Sequence, residues 1–149
     1  IIRAEQHIRS FIRETPLEHS PALSTDRGQV YLKLENYQHT GSFKVRGAFN
    51  KLLSLSDKEK AKSIVTASTG NHGAAVAYAL KTLGHKGIIF VPEIASKTKV
   101  AKIQRSGAEV RYHGDDSILT ENYARQFALE NNMTYVSPYN DEAVIAGQG

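Results

Sequence analysis

Apolar residues recur along this chain with two different periods, and the alternation between them outlines an α/β protein. Ala4, Ile8, Phe11 and Ile12 fall on one helical face. Thr15-Pro16 then ends that helix, because the residue before a proline is pushed out of the α region. Residues 30–34 alternate as a strand does, and the polar residues 35–41 read as a loop. From Ser42 the helical period returns, with Val45, Phe49, Leu52 and Leu53 at i, i+4, i+7 and i+8 and Lys44 in the first turn. Lys44 therefore falls at a loop-to-helix junction.

Ser56 and Glu59 make the signature of a capping box for a short helix. Beyond it a repeating unit of short apolar strand and helix begins. The strands are expected at 63–66, 87–91, 109–112 and 134–136, and the helices at 71–83, 96–106 and 117–131. Gly107 is placed to act as a left-handed helix terminator. This alternation implies a parallel sheet with right-handed crossovers and helices on its faces. In open sheets of that kind ligands sit beyond the carboxyl ends of the strands. The loop after the first strand of the unit, Ala67-Ser68-Thr69-Gly70-Asn71-His72-Gly73, is where chemistry is expected.

Composition narrows the function classes. With 149 residues, 40% hydrophobic and 23% charged, the chain is long enough to bury one sizeable core. The net charge of +4 comes from scattered basic residues, which argues against a nucleic-acid surface. There is no cysteine, so no disulfide framework or thiolate metal site is possible, as fits a cytoplasmic protein. No apolar run reaches the length of a membrane span, and no secretory leader is evident. The sequence starts at Ile1 and stops at Ala146-Gly147-Gln148-Gly149, in mid-phrase rather than after a helix, and reads as a fragment of a longer protein.

The loop at 67–73 carries small residues and glycines straight into a helix start. Backbone N–H groups there face outward at the positive end of a helix dipole, an arrangement suited to an anion. On local grounds alone, Gly70 and Gly73 serve equally well as residues that permit a tight turn. The loop lacks both the G-x-G-x-x-G fingerprint and the Gly-Lys-Ser/Thr of a P-loop, so nucleotide binding is poorly supported. Asn71 reads as a helix cap or a ligand, and Lys44 as a surface lysine or a reactive amine. No partner at ligand spacing supports a metal at His72.

Two motifs together decide between these readings. Thr40-Gly41-Ser42-Phe43-Lys44-Val45-Arg46-Gly47-Ala48 resembles the lysine motif of fold-type II pyridoxal-phosphate (PLP) enzymes, and Ser68-Thr69-Gly70-Asn71-His72-Gly73 resembles their asparagine loop. Their order and separation, with Tyr31-Leu32-Lys33-Leu34-Glu35-Asn36 before them, are similar to the serine/threonine dehydratase and serine racemase branch. The resemblance runs down to Val144-Ile145-Ala146-Gly147-Gln148-Gly149.

The resemblance implies a tryptophan synthase β-like fold. Residues 63–139 would form a small open parallel sheet flanked by helices, and residues 1–55 and 140–149 would belong to a larger domain. It implies Lys44 as Schiff-base lysine and catalytic base, with Phe43 packed on a cofactor face and Asn71 on the cofactor's 3-hydroxyl. Ser68, Thr69, Gly70, Asn71 and His72 would receive the substrate carboxylate. The implied reaction is β-elimination of a threonine- or serine-type amino acid to a 2-oxo acid and ammonia. Racemisation, β-replacement and an inactive fragment are the alternatives. Thr69 stands where eukaryotic serine racemases place a working serine, and its β-branch restricts the rotamer, which sets racemisation behind elimination. A small amino-acid substrate and a homo-oligomer, when full length, complete the expectation.

Overall fold

The computed structural model describes all 149 residues. Helix α1 spans Ile2–Ile8 and tightens into a 3-10 turn at Arg9–Phe11; strands β1, Leu17–His19, and β2, Tyr31–Lys33, follow. After a second 3-10 turn at Glu35–Tyr37 come α2, Lys44–Ser54, and the short α3, Asp57–Lys60. The repeating unit then runs β3 Ile64–Ala67, α4 Asn71–Leu83, β4 Gly87–Val91, α5 Lys97–Gln104, β5 Glu109–Tyr112, α6 Ser117–Glu130 and β6 Thr134–Tyr135, and α7, Glu142–Gln148, ends the chain.

The second sheet is wholly parallel in the order β5-β4-β3-β6. Every residue of β3 is buried, as befits a central strand covered on both faces. Its side chains alternate between two cores. Ile64 joins α1, α2, α4 and α7 around Phe49, Val76 and Val136, whereas Val65 and Ala67 pack with Ile88 and Phe90 under α6 at Ala124 and Ala128. A third cluster seats α5 through Val100 and Ile103 on Ile89 and Val91. Helices α4 and α5 thus lie on one face and α6 on the other.

Local chemistry sets the element ends. Ser56 and Glu59 exchange both bonds of the expected capping box. Asp116 and Asp141 each accept two backbone N–H bonds at the starts of α6 and α7. Gly84 terminates α4 and Gly107 closes the turn after α5, at φ of +70° and +80°, a region that glycine enters without strain.

The expected strands and helices of the repeating unit all form, β4, β5 and α4 with the expected ends and the others with ends within two residues of them. Three readings need correction. The strand expected at 30–34 shrinks to Tyr31–Lys33 and pairs with β1, which its sequence did not announce; both strands are exposed throughout, so the alternation does not mark a buried face. The first helix ends at Ile8, and Phe11 and Ile12 reach the core from the following turn and extended residue. Residues 142–148, where the pattern predicts no helix, form α7, held by its Asp141 cap and by packing on α2. No helix is long and apolar enough to cross a membrane.

Candidate active site

The sheet order places one loop at a special point. From β3 the chain winds outward through β4 and β5 and then returns to pair β6 on the other edge of β3. The loop leaving β3, Ser68 to Gly70, therefore sits where the winding direction reverses, the position at which open α/β sheets bind their ligands.

Within that loop the backbone is tightly drawn. Gly70 is the N-cap of α4, its own N–H donating to Ser68 Oγ at 3.2 Å. A Cβ at Gly73 would collide with the Ser68 carbonyl, so only glycine lets α4 start this close beneath the strand end. The backbone N–H groups of Thr69, Asn71 and His72 have no acceptor within the chain. They open at the N-terminus of a 13-residue helix. The Asn71 side chain is exposed and does not cap the helix, which removes the capping reading for that residue.

His72 is different: its ring is 4% exposed and its Nε2 lies 3.2 Å from Thr66 Oγ1. The Thr66 hydroxyl has one hydrogen, which it donates to the Val136 carbonyl at 2.7 Å. His72 Nε2 must then donate to Thr66, which leaves Nδ1 unprotonated, and Nδ1 has no partner. Burial, and then the nearby charge of Lys44, push the His72 pKa down to about 4. The ring is therefore a neutral strut between α4 and the end of β6.

Lys44 is the first residue of α2, and the loop before it turns at Gly41, φ +74°. Lys102 of α5 pins that loop by donating from Nζ to the Thr40 carbonyl at 2.8 Å. The half-buried Lys44 amine donates to the Pro138 carbonyl and to Gln148 Oε1, both at 3.2 Å. In its ammonium form the group carries three hydrogens, so a third donor direction lies beyond these two bonds. Lys44 makes no ion pair; both partners are neutral oxygens. The Phe43 ring lies 5.2 Å from Lys44 Nζ and is 42% exposed, so it is not a core aromatic.

The charge of Lys44 thus reaches the His72 ring at the start of α4, and the fold adds Pro138, Thr66 and Gln148, which sequence reasoning did not single out. Two cavities of about 570 and 470 Å³ lie elsewhere, the first among Glu5, Arg9, Arg13 and Arg46, the second at the amino ends of the strands by Ser63, Gly87 and Glu109. Neither touches the Lys44 site.

Comparison with known proteins bears directly on this geometry. A catabolic L-threonine dehydratase of Staphylococcus aureus is 48% identical over the whole chain, which covers 44% of that protein. Among solved structures, serine racemase of Dictyostelium discoideum superposes with a TM-score of 0.88 at 35% identity, covering 98% of this chain and 48% of that one. Threonine deaminase isoform 2 of Solanum lycopersicum gives 0.90 at 31% identity, covering 98% and 41%. The chain spans less than half the length of these relatives. A family model described as pyridoxal-phosphate dependent enzyme matches residues 8–149, and with the fold of type II enzymes around it, this chain belongs to the pyridoxal-phosphate dependent enzyme family.

Proposed function

We propose that the whole protein catalyses PLP-dependent β-elimination of L-threonine or L-serine, releasing a 2-oxo acid and ammonia, with Lys44 as the cofactor-bearing lysine. The observation that carries this reading is the Lys44 amine, held by two neutral oxygens beside a switch-point loop whose backbone N–H groups lack acceptors. The residues fit the cofactor on their own chemistry. An amine engaged in no ion pair is available to an aldehyde, the free Asn71 amide to a ring hydroxyl, and the half-exposed Phe43 ring to a flat partner.

When bound, PLP supplies an aldehyde for capture of amino groups and a conjugated ring that takes up the electrons of the broken Cα–H bond. This chain supplies a base, a site for the substrate carboxylate and an orienting amide. The Lys44 amine, once released, takes the Cα proton at Nζ. The backbone N–H groups of Thr69, Asn71 and His72, with the hydroxyls of Ser68 and Thr69 and the close approach allowed at Gly70, receive the substrate carboxylate and fix which bond faces Lys44. Asn71 sets the ring orientation.

The experiment is product analysis with the full-length protein. L-threonine or L-serine should yield ammonia and a 2-oxo acid in equal amounts. Accumulation of D-serine without keto acid would replace this reading with racemisation, the second reading, which the resemblance to Dictyostelium serine racemase supports. Residues 1–55 and 140–149 fall to a larger domain and 63–139 to a smaller one in this reading, a division favoured by the pairing of α2 with α7. A cytoplasmic homo-oligomer is the accompanying proposal.

A further inference from the structure

Lys44 is met by a side chain whose placement packing alone does not explain. Gln148, near the end of the chain, turns Oε1 to the Lys44 amine at 3.2 Å, while its Nε2 is buried with no acceptor. A buried amide donor without a partner is costly, and an apolar side chain of the same size would avoid that cost. The opposite assignment of the amide would set donor against donor. The oxygen therefore belongs on Lys44.

The surrounding backbone is arranged to bring it there. Helices α2 and α7 cross where a Cβ at Gly147 would lie 2.9 Å from Gly47 Cα, and one at Gly47 would lie 2.6 Å from the Val144 carbonyl and 2.7 Å from Gln148 Nε2. At the other end of the crossing, Lys51 pairs with the α7 cap Asp141 at 2.8 Å, and Asn50 donates to the Ala143 carbonyl at 2.7 Å. Helix α7 is thus fixed along its length, and Gln148 with it.

From this we infer that Gln148 is a positioning residue, which with the Pro138 carbonyl forms a berth for the protonated Lys44 amine. The inference rests on the reading of Lys44 given above for its place in the reaction. During turnover the Cα–H bond breaks, its electron pair stays on the substrate and cofactor, and the proton forms a new N–H bond on the Lys44 amine. That amine becomes the ammonium the berth receives. Two neutral oxygens hold the ammonium long enough to complete the transfer and still release it, where a carboxylate would retain it.

The test uses the full-length protein in two forms. In the apoprotein, Lys44 is labelled at fixed pH with an acylating reagent that reacts only with the free amine, and the label is read by peptide mass spectrometry against surface lysines. Gln148→Leu should raise Lys44 labelling about tenfold, and Gln148→Glu should lower it below the natural protein, because an acceptor oxygen favours the protonated amine in the order carboxylate, amide, none. A merely structural role would raise labelling in both variants, and that outcome, or no change in Gln148→Leu, overturns the inference.

In the holoenzyme, Gln148→Leu should lower kcat about tenfold with little change in KM, and should enlarge the isotope effect on Cα-deuterated serine. Unchanged kcat would equally overturn it. Should Gln148→Leu fail to fold, Gln148→Met, of similar length, carries the same expectations. If the labelling order holds but the cofactor is trapped on another lysine, the berth stands and the assignment of Lys44 falls.

Discussion

His72 shows how one buried side chain fixes both structure and chemistry. Its pKa of about 4 lies below the ordinary 6.5, so the ring stays neutral in the folded protein at neutral and mildly acidic pH. The sign follows directly. Above pH 6.5 neither state binds the proton, whereas between 6.5 and 4 the unfolded chain binds it and the folded one does not. Stability therefore falls as the pH drops through that window, by on the order of 3 kcal/mol at its lower end. Chemical unfolding midpoints at pH 7 and pH 4.5 should show the fall, and His72→Asn should reduce it.

The two motifs separate by kinetics at the same scale. Lys44→Ala removes the cofactor link and the proposed base, so elimination should drop by at least 100-fold to 10,000-fold, the usual worth of positioned proton transfer. A small external amine should restore part of it. Asn71→Ala should keep the cofactor on Lys44 while turning over poorly, and added amine should do nothing for it.

Between elements, the α2–α7 crossing is the contact on which the site depends. Gly47→Ala sets a methyl against the Val144 carbonyl and forces the helices apart; such overpacking costs about 1–3 kcal/mol, which a thermal melt should detect as a lower Tm together with a lower kcat. This crossing also marks the limit of what the sequence reveals. Strands β3 and β4 and helices α4 and α6 are legible because their own residues carry the burial pattern and the breakers. Helix α7 has seven residues, and of these only Val144 and Gly147 are buried; it forms through its cap and its contact with α2, neither of which appears as periodicity. Strand β1 is exposed at every residue and exists by pairing with β2. Within the site, the anion loop announces itself through small residues beside a strand end, whereas the partners of the Lys44 amine lie 94 and 104 residues away and no local pattern identifies them.

Across the whole molecule, the sheet order explains why residues so far apart in sequence meet. Reversal of the winding at β3 brings the end of β6, and hence Pro138, beside the anion loop, and α7 then returns over α2 to deliver Gln148. Lys44 stands where these paths converge. The fold and the family follow from sequence and structure together, and the assignment of Lys44 as the cofactor-bearing lysine is the claim on which the proposed function turns. Borohydride reduction of the full-length enzyme with its PLP, followed by peptide mapping, tests it directly. The account predicts a single pyridoxyl group on Lys44; a pyridoxyl group on another lysine, or on none, would contradict it.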